Sequence, residues 1–156
     1  MSIGNAVPGW NTNSAFMKFT TEGGLAVKML NKTGVASVKG TVVQLSTSIE
    51  RSVEISPADE EEAMGIIYDN GIADGEFVWI VIQGIVDILI EDGQTATVGF
   101  WVRTSITQDG RADITNADPP GGGIPQADQH FRELGHCQES KSSGTDVLAR
   151  CIIHFN

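Results

Sequence analysis

Phe77-Val78-Trp79-Ile80-Val81-Ile82-Gln83-Gly84-Ile85-Val86-Asp87-Ile88-Leu89-Ile90 carries the pattern that decides the fold. Its β-branched and aromatic residues favour extended backbone, and the Gln83-Gly84 break divides it into two strands, Phe77 to Ile82 and Ile85 to Ile90. Shorter segments of the same kind lie on either side: Thr41 to Leu45, Val53 to Ile55, Phe100 to Arg103, Ala112 to Thr115 and Val147 to Ile153. Turn signals separate them at Asp69-Asn70-Gly71, Asp74-Gly75, Asp92-Gly93, Asp109-Gly110 and Ser143-Gly144. Short strands recurring at about ten residues predict an all-β fold, a compact β-barrel or sandwich.

Three segments interrupt this rhythm. Ser56-Pro57-Ala58-Asp59-Glu60-Glu61-Glu62-Ala63-Met64 has a capping serine, a first-turn proline and acids suited to a helix start, with Gly65 as the stop. It reads as a solvated acidic loop with at most one helical turn. Residues 118 to 128, Asp-Pro-Pro-Gly-Gly-Gly-Ile-Pro-Gln-Ala-Asp, form a loop, because proline lacks a ladder donor and glycine lacks packing atoms. Residues 1 to 24 read as irregular, yet Trp10, Phe16, Met17 and Phe19 are too apolar for an idle tail. These four are the candidate interface residues, packing on this domain or on a neighbouring subunit.

A chain of 156 residues can bury a core without staples. Its 40% hydrophobic and 19% charged residues argue against disorder, and no apolar run is long enough for a membrane-spanning helix. A net charge of −10 argues against direct nucleic-acid binding, which needs clustered cations on the phosphates. The first ten residues lack a secretory pattern. Two cysteines, Cys137 and Cys151, both in strand-like sequence, are too few for a disulfide framework. Buried free thiols are expected, with a Cys137–Cys151 bridge as the alternative.

The chain also repeats itself. Placing Gly40 on Gly99, an offset of 59, superposes Val43 on Val102, Ser46 on Ser105, Ile55 on Ile114 and Ala58 on Ala117. Glu50 then falls on Asp109 and Glu54 on Asp113. Beyond the Pro/Gly segment the offset becomes 70, with Met64-Gly65 on Leu134-Gly135. Two similar modules, about 40–84 and 99–153, are joined by the strand at Ile85 to Ile90. Each half is too small to bury its own face, so residues 34–156 read as one β domain preceded by an N-terminal arm and first strand, 1–33.

Reactive patterns are sparse. The soft-metal candidates are His130, His136 and His154, with Cys137 beside the second; His130 and His136 stand six apart, and adjacent His136 and Cys137 point to opposite faces of a strand, so no zinc site is expected. The Asp69–Gly75 segment lacks the calcium-loop register, and no Lys-Ser/Thr follows Gly121-Gly122-Gly123 to complete a phosphate cradle. No nucleophile elbow occurs. Catalysis is therefore not the leading expectation, and neither a cofactor nor a metal is predicted. Trp79 and Trp101 lie in strands, where core packing is the commoner fate, while exposure of Trp79 or Trp101 would suit a carbohydrate-binding module.

Gly34-Val35-Ala36-Ser37-Val38-Lys39-Gly40-Thr41-Val42-Val43, Ala63-Met64-Gly65-Ile66-Ile67, Gly71-Ile72-Ala73-Asp74-Gly75-Glu76-Phe77-Val78-Trp79-Ile80 and Gly84-Ile85-Val86-Asp87-Ile88 follow one another in order. A second pass runs from Gly99 to Ile114, through Leu134-Gly135, to Gly144-Thr145-Asp146 and the closing strand to Ile153. In this order of glycines and apolar positions, from Gly34 to Asn156, the chain resembles the small capsid cement, or decoration, proteins of tailed bacteriophages. The segment before Gly34 is longer than that family's, and the insertion at Asp118 to Gln129 is extra. The resemblance implies a non-enzymatic virion protein, made in the host cytoplasm, that binds the major capsid protein on the outside of the filled head, often as a homotrimer. It implies no nucleic-acid or membrane contact. The alternative from another class is a carbohydrate-binding or host-adhesion β module of a virion.

Overall fold

The computed structural model describes residues 15–116 and 132–154. Trp10, His130 and the 118–128 loop lie outside the described residues. The described strands are β1 (Met17–Phe19), β2 (Gly24–Asn31), β3 (Val42–Leu45), β4 (Ser52–Ile55), β5 (Ala63–Ile67), β6 (Phe77–Leu89), β7 (Trp101–Thr104), β8 (Ala112–Thr115), β9 (Glu133–Cys137) and β10 (Leu148–Ile153). Among the described residues there is no helix, and the architecture is all-β.

The first departure from expectation is that Phe77 to Leu89 forms one strand of 13 residues rather than two. Gly84 does not break it because the backbone there takes φ +89°, and a Cβ would lie 2.5 Å from the Gly23 carbonyl oxygen. Leu25 pairs with Gln83 and Ala26 with Val81, so Ile82 is an extra residue, a bulge that turns the strand. The face of β6 that leaves one barrel thereby enters another. Val78 and Ile80 join a cluster with Val43, Val53 and Ile67. Val81 joins Val86 and Ile88 in a second cluster.

β6 therefore belongs to two rings. The first ring runs β2-β4-β3-β5-β6 and closes where β6 pairs with β2. The second runs β6-β10-β9-β7-β8 and closes through a parallel bridge, Ile90 with Ala112. The second barrel is filled by Val86, Ile88, Ile90, Val102, Ile114, Ala149 and Cys151, and its cluster continues onto Ala26, Val42 and Ile66 on the outer face of the first.

The registers coincide. Val43 faces Ile55 in the first barrel and Val102 faces Ile114 in the second, both partners offset by 59. Val43 faces Gly65 next to a bulge, and Val102 faces Gly135 next to another. Ile67 faces Ile80 where Cys137 faces Cys151, so the thiols occupy the places of core isoleucines. Both cysteines are free and buried. The turn after β3 is repeated as well: Ser46 Oγ accepts from the backbone N–H of Ser48 and Ile49, and Ser105 Oγ from those of Thr107 and Gln108.

Two further expectations need correction. Ser56 caps no helix, because its backbone serves the neighbouring loops: its N–H donates to Val42 and its carbonyl accepts from Gly110. Asp59 then adopts φ +67°, outside the helical region, and β5 begins at Ala63 within the segment read as a loop. Residues 1 to 24 are not wholly irregular either. Met17–Phe19 pairs with Val27, Ala26 and Leu25 of β2, using backbone groups that alternation over three residues does not reveal.

Candidate binding surface and histidine cluster

β1 stands at the end of the strand order and carries Met17 and Phe19 of the predicted interface residues, with Phe16 immediately before it. Phe16, Met17 and Phe19 are 54%, 47% and 54% exposed. The strand is fastened from its other face: the Lys18 ammonium lies 4.5 Å from the centre of the Trp79 ring and 5.1 Å from that of Tyr68. The Phe16 carbonyl accepts from Lys28, and the Arg51 guanidinium sits 4.6 Å from the Phe16 ring. Tyr68 donates to Glu22 at 2.9 Å. Burial pushes the Glu22 carboxyl up, but this bond and those from its own backbone and Thr21 outweigh it and hold it below the ordinary value. The apolar side chains of β1 are thus presented from an anchored backbone.

Trp101 departs from its expected place in the core. It is 40% exposed on β7, and its ring lies 4.4 Å from that of His136. The equivalent position in the first barrel is Val42, which is fully buried. Trp79 is half-buried beneath Lys18 and Lys28.

Beside Trp101 the structure assembles a group that short-range spacing did not reveal. His154 Nε2 lies 3.3 Å from Glu133 Oε1 and 3.5 Å from His136 Nδ1. In a regular strand residues 133 and 136 face opposite sides. Here Val102 pairs with Gly135 and Arg103 with Glu133, so Leu134 is an extra residue and Glu133 comes round to the face of His136. The third member follows β10, whose end is tied back by the His154 N–H to the Leu134 carbonyl at 2.9 Å. His136 and His154 are 18 residues apart and meet only through the β9–β10 pairing.

The neighbouring Cys137 faces the opposite way, into the second barrel. A hydrogen bond from Cys151 lowers the Cys137 thiol to about 7 despite burial, while the same contact and burial push Cys151 far up. Cys137 also donates to the Glu139 carbonyl at 2.9 Å.

A groove of about 590 Å³ lies between the barrels, lined by Val38, Lys39, Leu89, Arg111, Asp146 and Leu148 among others. Its cations are paired, Lys39 with Asp87 and Arg111 with Asp92 and Asp146, and its Asp109 accepts from the Ala58 N–H at 2.8 Å. A small hydrolase would need a histidine near a carboxylate within a cleft. The first condition is met by His136 and Glu133, but the groove is lined by other residues.

No family model and no curated protein matches the chain. Among solved structures it is similar to the N-terminal base of the head fibre gp8.5 of bacteriophage phi29. The identity is 19% and the TM-score 0.47, over 83% of this chain and 92% of that one.

Proposed function

We propose that this chain is a non-enzymatic structural protein of a phage particle, a capsid decoration protein that braces major capsid subunits on the outer surface of the head. The observation that carries the reading is β1, with Phe16, Met17 and Phe19 about half exposed on a backbone anchored by Lys18. Covering a half-exposed phenyl ring contributes on the order of 1 kcal/mol, too little for tight binding by one residue. Repetition over a lattice multiplies such contacts, so modest affinity per copy suffices. The charge of −10 favours solubility while that surface is exposed. The order of glycines and apolar positions, in which the chain resembles the cement proteins, supports the same reading.

In this reading the major capsid protein is the partner and the copies associate as homotrimers. The protein is made in the host cytoplasm and needs neither a cofactor nor nucleic acid. The test is electron microscopy of heads assembled with the wild type or with a Phe16→Ser, Met17→Ser, Phe19→Ser variant. The variant should fall to a small fraction of wild-type occupancy. Equal occupancy removes β1 from attachment, and wild-type density on the tail rather than the head lattice rejects decoration. Light scattering that shows only a 16.6 kDa species at micromolar concentration counts against a preformed trimer.

The exposure of Trp101 favours one alternative, a carbohydrate-binding or host-adhesion module. Glycan-dependent quenching of tryptophan fluorescence, abolished by Trp101→Ala, would establish it.

A further inference from the structure

We propose that Glu133 Oε1, His136 Nδ1 and His154 Nε2 bind a divalent transition-metal ion of the zinc class on the outer face of the second barrel. The donor set is two imidazoles and one carboxylate, a borderline set that suits zinc and its transition-series neighbours better than calcium or magnesium, which take oxygen ligands. Geometry agrees with chemistry. Metal–nitrogen and metal–oxygen bonds of about 2.0–2.1 Å in a tetrahedron place neighbouring ligand atoms roughly 3.4 Å apart. Two edges here are 3.3 and 3.5 Å, and the three ligand atoms lie within 4.8 Å of one another.

The ligands are held by backbone rather than by chance rotamers. The β9 bulge presents Glu133 and His136 on one face, and the bond from His154 N–H to Leu134 fixes the third. Gly135 allows β10 to approach so closely that a Cβ there would lie 1.9 Å from the Ile152 carbonyl oxygen. Trp101 packs against the His136 ring. Such support is what metal sites need to keep ligand orientation.

Hydrogen bonding alone serves this cluster poorly. His154 Nε2 carries at most one hydrogen, yet it faces both a carboxylate oxygen and a ring nitrogen. A cation engages all three lone pairs at once. The cluster is also no by-product of the repeated architecture, because Ala63, Ile66 and Gln83 occupy the corresponding positions in the first barrel. Cys137 is not a ligand, since it faces the interior. Three protein ligands leave a fourth position, and the 37% exposed side chain of His154 places that opening toward solvent.

The test uses the untagged full chain, stripped with a chelator and titrated with zinc chloride by calorimetry. One ion per chain should bind, and a hundredfold excess over Kd should raise the melting temperature by roughly 5 °C. Calcium and magnesium should not do this. His154→Ala and His136→Gln should each weaken binding roughly a hundredfold and Glu133→Gln roughly tenfold. Cys137→Ser should leave it unchanged. Cobalt should give visible d–d bands without a sulfur charge-transfer band. If a histidine variant fails to fold, imidazole nitrogen NMR of the wild type decides, since zinc must shift His136 Nδ1 and His154 Nε2. Absence of zinc binding, binding that survives loss of both histidines, or a sulfur band would overturn the proposal.

Discussion

The two barrels share one set of backbone pairings and differ in what they place on it. Val42, Ala63 and Ile66 on the outer face of the first are packed away, and Val42 and Ile66 are continuous with the core of the second. Of their counterparts, Trp101 is 40% exposed, while Glu133 and His136 are half-buried beside it. Inside, Ile67 and Ile80 become Cys137 and Cys151. Between neighbouring strands, the Gln44–Glu54 hydrogen bond becomes the Arg103–Asp113 ion pair. Backbone geometry is thus the constant and side-chain chemistry the variable. The half whose outer face is not covered by its twin is the half that gains polar and aromatic groups there.

The largest test of that constancy is the glycine at the bulge. Gly135→Ala would place a Cβ 1.9 Å from the Ile152 carbonyl at φ +151°, whereas at Gly65 a Cβ meets the Ile80 Cγ2 at 2.6 Å and the Val81 oxygen at 2.7 Å. Gly135→Ala should cost about 4 kcal/mol or more, and Gly65→Ala about 1–3 kcal/mol. Urea unfolding checks both. Equal costs would mean that the two bulges do not constrain the strands differently.

Core substitutions come next. Ile80→Ala empties a fully buried site in the first barrel and should cost about 3–4 kcal/mol, whereas Cys151→Ala removes one sulfur and should cost about 1 kcal/mol. A reversed order would show that the second barrel, closed by a single bridge, depends more heavily on its packing.

Much of this was legible in the sequence, for a physical reason. Strands with alternating burial and turns with obligate glycine leave local signatures, so Phe100 to Arg103, Ala112 to Thr115 and Val147 to Ile153 lie within a residue of the observed β7, β8 and β10. The β6 segment read as two strands because Gly84 looks like a break, although a positive-φ glycine beside a bulge at Ile82 also lets a strand pass from one barrel to the next. The cluster at His136 was not legible, since it needs a bulge that reverses the facing of Glu133 and a strand pairing that brings in His154. Trp101 was misplaced because alternation shows which residues share a face and not whether a second module covers it. Phe16 and Phe19 are about half exposed, and their role as interface residues is what the occupancy experiment tests, while Trp10 lies outside the described residues.

A smaller effect separates the cross-strand polar pairs. Asp113 is buried and accepts from Arg103 Nε at 2.7 Å and from Gln94 at 2.7 Å. Asp113→Ala removes the carboxylate acceptor of Arg103 Nε and leaves Gln94 Nε2 with Glu91, and should cost about 2 kcal/mol. Glu54 accepts from Gln44 Nε2 at 3.0 Å in a half-buried setting, and Glu54→Ala should cost about 0.5 kcal/mol. A double-mutant cycle at each site separates the pair from the general loss of packing.

The smallest difference is one of pH. Asp87 pairs with Arg150 where the first barrel pairs Lys28 with Trp79. Burial pushes the Asp87 carboxyl up, but Lys39 at 2.9 Å and Arg150 at 3.0 Å outweigh it and hold it below its ordinary value. A carboxyl depressed in the folded state contributes stability in full above its unfolded value of about 3.9 and loses it as pH falls through the folded value. The stability gap between wild type and Asp87→Asn should therefore be constant from neutral pH to about pH 5 and shrink below about pH 4. The Lys28–Trp79 contact, an ammonium 5.6 Å from a ring centre, includes no carboxylate. Replacing Lys28 by Met should shift the whole acid limb of the curve without changing its slope. An Asp87→Asn gap that persists unchanged to pH 2 would show that the Lys39–Asp87–Arg150 bridge contributes through packing and not through charge.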